Sequence, residues 1–134
     1  MNYSKTFSAN DSSLPIALDF INEIIEGANI PPKAVMQIDV AFEELFVNVA
    51  HYAYGEKVGD VTIDVETNND QICITLKDSG APFDPLAKPD PDINAPLEER
   101  QIGGLGIFMV KKTMDGVSYE YIDNMNCTTI KKNI

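Results

Sequence analysis

Two polar side chains lie within the apolar segment FEELFVNVAHYAYG, which covers residues 42–55. Glu44 and Asn48 are four residues apart, so on a helix they lie on one face, about one turn from each other. The rest of the segment is apolar almost all the way round, which predicts a mostly buried helix. The carboxylate and the carboxamide can therefore reach one common ligand, although buried polar pairs are also common as purely structural hydrogen-bonding groups.

The segment DSGAPF at residues 78–83 is a second candidate. Asp78 directly follows a predicted strand, and Gly80 allows either a close approach of the backbone to a ligand or a positive φ angle. An ordinary Asp-Ser-Gly turn would contain the same residues. Taken alone, the segment does not separate a ligand site from a turn.

The glycine-rich segment GGLG at residues 103–106 is the third candidate. Glycines at the entrance to a helix let a ligand meet free backbone N–H groups and the positive end of the helix dipole, which is a natural phosphate site. A flexible hinge at the end of a loop is the structural alternative. The glycine signatures of P-loop and Rossmann proteins are absent from the sequence, which excludes those two nucleotide-binding classes.

The elements that must position these residues follow from hydrophobic periodicity and from turn residues. An edge strand is predicted at 2–8, helices at 12–27, from 31 or 32 to about 54, and after GGLG to before Gly116, and further strands at 60–66, 71–77, 118–122 and 127–133. Five prolines between residues 79 and 103 predict a long loop, and such loops are usually functional. The order predicts an α+β fold, a two-layer sandwich with a mainly antiparallel sheet and helices on one face.

Length and composition limit the classes of function. The 134 residues match the commonest size of one domain, so 1–134 is interpreted as a single domain. A formal net charge of −11 argues against a nucleic-acid-binding protein and favours basic partners. Neither an apolar run of about 18 residues nor a signal peptide is visible, so we expect a cytoplasmic protein. Cys73 and Cys127 are expected to be buried reduced thiols.

The three motifs occur in the order E-x-x-x-N on a helix, D-x-G after a strand and G-x-G after a long loop. Together they resemble the GHKL (Bergerat-fold) ATP-binding superfamily, and within it the small anti-sigma-factor serine/threonine kinases of bacteria. The segments EELFVNVAHYAYG, DSGAPFDP and GGLGIFMVKKTMD are similar to the N box and the two glycine boxes of that family. The likeness covers nearly the whole chain, and the predicted order of elements agrees with it independently.

The resemblance implies ATP and Mg²⁺ as cofactors. Asn48 resembles the magnesium ligand, since a carboxamide oxygen can hold one octahedral position while phosphate oxygens and waters fill the others. Glu44 resembles the general base that would orient or deprotonate the attacking hydroxyl. Its neighbour Glu43 is the rival candidate, but it is not four residues from Asn48 and would point elsewhere.

The other two motifs resemble the part of the family site that holds the nucleotide. Asp78 resembles the residue that recognises adenine, because its carboxylate accepts a hydrogen bond from the exocyclic amino group and would repel the carbonyl oxygen of guanine. The resemblance therefore implies that ATP binds better than GTP. Gly80 would let the backbone approach the base, and Gly104 and Gly106 would cradle the phosphates.

Outside the three motifs the resemblance makes further assignments. Residues 82–102 would act as an ATP lid. Either Thr128 or Thr129 could contact the base through a water molecule, and the sequence leaves both open. Family members often carry an arginine just before the second glycine box, whereas here Ile102 stands at that position and Arg100 lies further upstream. This difference keeps open a function that uses ATP binding without phosphoryl transfer.

Three functions fit these residues. The resemblance implies an anti-sigma factor that binds a sigma factor and uses Mg·ATP to phosphorylate a serine or threonine of a small antagonist protein, so that the added charge switches partners. The first alternative is a regulatory module that uses ATP to order its lid and gate partner binding. The second is a nucleotide-free interaction domain in which the polar motif residues are structural. We expect no direct contact with nucleic acid or membrane, and a homodimer remains open.

Overall fold

The computed structural model describes residues 1–55, 57–86 and 104–134. Within these ranges, five β-strands and three α-helices follow the predicted order. Their bounds are β1 Asn2–Ser8, α1 Leu14–Gly27, α2 Pro32–Asn48, β2 Asp60–Thr67, β3 Gln71–Asp78, α3 Gly104–Thr113, β4 Gly116–Ile122 and β5 Met125–Asn133. A 3-10 turn at Asp11–Ser13 precedes α1, and a π-helical turn at Val49–Ala53 follows α2. The predicted α+β class is confirmed.

The described strands form one antiparallel sheet in the order β1-β2-β3-β5-β4. β1 is an edge strand, as predicted, and β2 and β3 form the predicted hairpin, with Thr67 opposite Ile72. Alternate residues of β2 and β3 are buried, and the residues between them are partly or fully exposed. The buried face packs against residues of all three helices, as expected for a two-layer sandwich.

The core between the two layers fixes α2, the helix that carries Glu44 and Asn48. Phe42 and Phe46 of α2 are fully buried, and their ring centroids are 5.8 Å apart. The fully buried side chains of the sheet are Val61, Ile63, Val65, Ile72, Ile74, Leu76 and Ile130. Each buried side chain of this size contributes about 1.5–3 kcal/mol to folding. The polar pair therefore sits on a helix whose orientation is set by its apolar face.

The helix starts follow capping rules. Asn10 Oδ1 accepts a hydrogen bond from the backbone N–H of Ser13 at 3.0 Å. This caps the 3-10 turn, so that α1 begins at Leu14 instead of the predicted residue 12. α2 begins at Pro32, as predicted, because a proline in the first turn has no N–H that would need a helical acceptor.

The second helix does not continue as an α-helix to residue 54. It ends at Asn48 and widens into the π-helical turn Val49–Ala53. The carbonyl oxygen of Ala53 accepts a hydrogen bond from the backbone N–H of Ala81, at 3.0 Å. π-helical turns are rare and frequent at functional sites. Apolar periodicity could not predict this one, since the segment is apolar on nearly all sides.

Four strand ends differ from the prediction by one or two residues, at Thr67, Asp78, Gly116 and Met125, and two of them concern the site. Asp78 is the last residue of β3 rather than the residue after it, and it lies opposite Asn126. β5 begins at Met125 instead of residue 127, because the turn before it contains only Asp123 and Asn124, with φ angles of 55° and 62°. Positive φ at both central residues is typical of a type I′ hairpin turn. The longer strand places Asn126 in the sheet beside Asp78.

The outer face of the sheet carries both cysteines. Cys73 lies opposite Lys131 and Cys127 lies opposite Lys77, and both thiols are free. Cys127 is buried, as predicted, whereas Cys73 is partly exposed. Burial raises the pKa of each thiol above its ordinary value of 9.0. Both groups are therefore poor nucleophiles at neutral pH.

Part of the predicted lid lies outside the described residues. Of the lid at 82–102, only residues 82–86 are described, and Arg100 and Ile102 are not among them.

A further expectation concerned membrane spans. Among the described helices, none is both long enough and apolar enough to cross a membrane.

Candidate functional site

A cavity lies between the end of α2 and the inner face of strands β3 and β5. Its polar lining comes from Asn48, Asp78, Asn126 and Thr128. Its apolar lining comes from Leu45, Val49, Ala53, Leu76, Phe83 and Pro85. The fold therefore brings the Asn48 and Asp78 motifs, which are distant in sequence, to one small space. An apolar cavity with a few convergent polar groups is the usual form of a small-molecule site.

Asp78 lines this cavity, and one of its two carboxylate oxygens is engaged in hydrogen bonds within the protein. The residue is only 4% exposed. Its Oδ1 accepts hydrogen bonds from the backbone N–H of Gly80 at 3.0 Å and from Nδ2 of Asn126 at 2.9 Å. Among the described residues, no donor reaches Oδ2. An acceptor oxygen that no protein donor reaches at the edge of an apolar cavity is suited to accept a hydrogen bond from a ligand.

Gly80 is required by the packing of the segment after β3. A Cβ atom at this position would lie 2.1 Å from the carbonyl oxygen of Ala53. The next residue, Ala81, donates its N–H to that same oxygen. The D-x-G spacing thus lets the chain turn away from Asp78 and lie directly against the π-helical turn. The close contact at Gly80 is with the backbone of Ala53, and the predicted approach of Gly80 to a base stays a prediction.

Asn126 is a site residue that the sequence analysis missed. Besides its bond to Asp78, its Nδ2 donates to the carbonyl oxygen of Ala81 at 3.0 Å. Its Oδ1 accepts from the backbone N–H of Phe83 at 3.0 Å and from the hydroxyl of Tyr119. The signal was available, since side chains two residues apart in a strand share a face and Thr128 was already a candidate. It was lost because Asn126 was assigned to the turn before β5.

The structure separates the two threonine candidates. Thr128 is 7% exposed and lines the cavity. Thr129 lies on the opposite face of the sheet, where its hydroxyl is 2.9 Å from the hydroxyl of Thr75. Alternation along the strand places the two side chains on different faces. Only Thr128 of this pair is near Asp78.

Glu44 lies one turn before Asn48 on α2 and faces the first turn of α3. A Cβ atom at Gly106 would come within 2.0 Å of the Glu44 carboxyl carbon. Burial raises the pKa of Glu44 above its ordinary value of 4.5, and the charge of Glu43 adds to this rise. Glu43 itself is exposed. The structure thus places Glu44 beside the glycine-rich segment, whose helix begins at Gly104.

Comparison with known families agrees with this arrangement. Residues 7–132 match the family described as the histidine kinase-like ATPase domain. The chain belongs to this family. The match covers nearly the whole chain and confirms the resemblance to the GHKL superfamily, to its fold and to its kinase-like members.

Several relatives of this ATPase domain carry a more specific name. The chain is 25% identical to the serine-protein kinase RsbW of Listeria monocytogenes serovar 1/2a over 116 residues, which cover 83% of this chain and 74% of that protein. It is 30% identical to RsbW of Bacillus cereus over 101 residues, 72% of this chain and 63% of that protein. For RsbW of Bacillus mycoides the identity is 30% over 96 residues, 69% of this chain and 60% of that protein. The aligned part thus spans less than two thirds of the two Bacillus relatives.

The residues that line this cavity fit a magnesium ion that is held mainly by a nucleotide. Among the described residues, no group of three or more His, Cys, Asp and Glu side chains could hold a metal by itself. Asn48 lines the cavity, and within the same ranges its carboxamide takes part in no hydrogen bond. A single carboxamide oxygen suits Mg²⁺, which keeps several waters and usually binds with phosphate oxygens.

The segment at 81–86, called the cover below, lies over the cavity and lines it through Phe83 and Pro85. Pro85 is buried, and the ring of Phe83 stacks on that of Tyr52 with centroids 6.1 Å apart. The cavity left between this cover and Asp78 is about 20 Å³, which is room for a water molecule and not for a purine. We expect this segment to move when a base enters the cavity.

Proposed function

We propose that this protein is an ATP-dependent serine/threonine protein kinase of the anti-sigma-factor type, which binds a sigma factor and phosphorylates an antagonist protein. The observation that carries the proposal is the buried Asp78 carboxylate, whose Oδ2 has no donor among the described residues and which shares one cavity with Asn48. Family membership supports ATP binding, and the RsbW relatives, which are named serine-protein kinases, support a hydroxyl acceptor.

Adenine recognition is assigned to Asp78. The exocyclic amino group of adenine is a donor and pairs with the available carboxylate oxygen, whereas guanine presents a carbonyl oxygen at that position. Two acceptors facing each other in a buried site are repelled and leave both groups unsatisfied. Thr128, which lines the same cavity, can hold a water that bridges to the base.

Phosphoryl transfer is assigned to the other end of the site. Asn48 would hold Mg²⁺, which, when bound with ATP, supplies positive charge at the phosphates. Glu44 would accept the proton of the attacking hydroxyl as the new bond forms to the γ-phosphorus and ADP leaves. The raised pKa of Glu44 makes it a stronger base than an exposed glutamate. Gly104 and Gly106 open α3, where backbone N–H groups can meet phosphate oxygens.

The partners are proposed from the resemblance and from charge. A formal net charge of −11 suits a basic segment of a sigma factor. Phosphorylation of the antagonist adds negative charge, which weakens its contact with an acidic kinase and frees the kinase for the sigma factor. Both partners act on transcription inside the bacterial cell, so we place the protein in the cytoplasm.

A second function is favoured by the closed cavity. The segment that carries Phe83 and Pro85 must move when a nucleotide enters. Such a movement could gate partner binding without any transfer of phosphate. In that function the protein binds ATP and Glu44 has no chemical role.

The test that separates the two functions is a transfer assay. The native protein and Glu44→Gln are incubated with Mg²⁺, ATP labelled at the γ-phosphate and the candidate antagonist proteins of the same bacterium. The kinase function predicts label on a serine or threonine with the native protein and loss of at least about 100-fold of the rate with the variant. Equal ATP binding by both proteins with no transfer by either would favour the gated module.

A further inference from the structure

We propose that Asn126 is a positioning residue that sets the base selectivity of the site. It also couples the Asp78 carboxylate to the cover, residues 81–86. The inference rests on the proposed nucleotide site and adds to it a residue outside the three motifs. Its basis is a hydrogen-bond network in which one buried carboxamide holds the adenine-recognising carboxylate on one side and the cover of the cavity on the other.

The Asn126 side chain is only 3% exposed and uses all of its hydrogen-bonding capacity. Its two N–H groups point to Oδ1 of Asp78 and to the carbonyl oxygen of Ala81, at 2.9 and 3.0 Å. Its oxygen accepts from the backbone N–H of Phe83 at 3.0 Å and from the hydroxyl of Tyr119 on β4. A buried amide with four partners has one stable orientation, since any rotation would leave several groups unpaired.

This orientation determines which atom of Asp78 meets the ligand. The carboxylate torsion of an aspartate is broad, so the backbone N–H of Gly80 alone does not fix it tightly. The second donor from Asn126 holds Oδ1 in place and leaves Oδ2, which no donor among the described residues reaches, available to a ligand. An acceptor that is fixed in position discriminates strongly between a ligand donor and a ligand acceptor, because it cannot rotate to relieve a mismatch.

The same side chain connects Asp78 to the cover. Ala81 and Phe83 belong to the segment that closes the cavity, and both are held by Asn126 through backbone atoms. Movement of Phe83 away from the cavity breaks its bond to the Asn126 oxygen. Tyr119 still holds that oxygen from the neighbouring strand. The carboxamide therefore keeps Asp78 oriented while the cover opens, so the site stays selective during binding.

An asparagine is the side chain that this position needs. An aspartate would place a second carboxylate about 3 Å from Asp78, and two such groups share a proton instead of forming the same bond. An alanine would leave Oδ1 of Asp78 and the carbonyl oxygen of Ala81 each without one donor. Tyr119→Phe is the mildest change, because it removes a single hydroxyl, which bonds the Asn126 carboxamide and also meets the backbone of Phe83.

The experiment measures the dissociation constants of Mg²⁺ complexes of β,γ-imido analogues of ATP and GTP by calorimetry. The proteins are native, Asn126→Asp, Tyr119→Phe and, as a matched control on the outer face of the same strand, Thr129→Val. We expect Asn126→Asp to lower the preference for the ATP analogue by about tenfold or more. Tyr119→Phe should lower it less, and Thr129→Val should leave it unchanged. The ATP affinity of Asn126→Asp should partly recover at lower pH, when the new carboxyl can donate a proton to Asp78.

The outcomes separate the inference from the proposed function. Absence of binding by the native protein would refute the nucleotide site and the inference with it. Tight, adenine-selective binding by the native protein and an unchanged preference in a folded Asn126→Asp variant would overturn the inference alone. If Asn126→Asp does not fold, the Tyr119→Phe variant decides, because it keeps the aromatic ring in place. A native preference of that variant for the ATP analogue over the GTP analogue would contradict the role of Asn126.

Discussion

The carboxylate of Glu44 lies directly against the α-carbon of Gly106. A Cβ atom added there would come within 2.0 Å of the carboxyl carbon and one carboxylate oxygen. The space that a side chain of residue 106 would need is thus occupied by the proposed base. From sequence, Gly106 was expected to cradle phosphates. Its contact with Glu44 gives a second reason for glycine at this position.

Gly106→Ala should therefore separate stability from activity. The methyl group would meet the mobile end of the Glu44 side chain rather than backbone, so the carboxylate would move. Alanine is a better helix former than glycine by up to about 1 kcal/mol, which offsets this strain. We expect a melting temperature close to native and a phosphoryl-transfer rate that is lower by about tenfold or more. Differential scanning fluorimetry and the transfer assay measure the two effects.

A double-mutant cycle tests whether that loss acts through Glu44. In a Glu44→Gln background, the change Gly106→Ala should add little further loss, since the group that it displaces is no longer a base. If the two substitutions lower the transfer rate independently, so that their fold-losses multiply in the double variant, Gly106 acts on the phosphates and not through Glu44.

The raised pKa of Glu44 predicts opposite effects of pH on activity and stability. The cause is burial, followed by the charge of Glu43. As pH rises through the folded pKa, which lies above 4.5, Glu44 becomes the base and transfer accelerates. Folding favours the protonated form of Glu44, so the stability that this proton contributes is fully present below pH 4.5, the ordinary pKa. This stability is lost as the pH rises through the folded pKa. Glu44→Gln should remove this loss, and an unchanged pH profile of unfolding in that variant would contradict the assignment.

Gly80→Ala should destabilise the segment that closes the cavity. The new methyl group would lie 2.1 Å from the carbonyl oxygen of Ala53, which is backbone and cannot rotate away. Overpacking of this kind costs about 1–3 kcal/mol. Gly27→Ala is the matched control, because no atom lies within 4 Å of a Cβ placed there. Equal melting temperatures for the two variants would show that the turn at Gly80 is loose.

Asp39→Asn should stabilise the protein at neutral pH. Within the described part of the chain, Asp39 Oδ1 is buried without a hydrogen-bond partner. Burial raises the pKa of the Asp39 carboxyl above its ordinary value of 3.8. The nearby Asn22 side chain lowers this pKa, and the negative charge of Glu43 raises it further. The free energy of unfolding should rise at pH 7 by less than about 1 kcal/mol, because solvent screens this partly exposed group. The gain should vanish below the ordinary pKa, where the carboxyl is protonated in both states. Asp19→Asn, at an exposed position of α1, is the control, and an equal gain there would contradict the argument.

The fold was predictable because its signals are local. Alternation in DVTIDVE and QICITLK predicts the central hairpin, and the four-residue spacing of Glu44 and Asn48 predicts that they share one side of the second helix. The position of Asn126 was not predictable in this way. It depends on the backbone of Asp123 and Asn124, whose positive φ angles shorten the turn and extend β5.

The contacts that shape the site arise from tertiary packing. Periodicity on α2 could not show that Glu44 would face Gly106, since that contact depends on how α2 and α3 pack. The π-helical turn at Val49–Ala53 is likewise hidden in a segment that is apolar on nearly all sides. The choice of Thr128 over Thr129 needed only the correct start of β5, after which alternation decides it.

The most direct test of the central claim is thermal unfolding of the native protein and of Asp78→Asn without nucleotide and with Mg·ATP, Mg·ADP or Mg·GTP. At a ligand concentration of about 100 times the dissociation constant, binding adds about 2.7 kcal/mol, which is a shift of several degrees for a domain of this size. We predict such a shift with both adenine nucleotides, little or none with Mg·GTP, and its loss in Asp78→Asn. Melting temperatures that stay constant under saturating nucleotide, or shift equally in both proteins, would contradict an adenine site at Asp78.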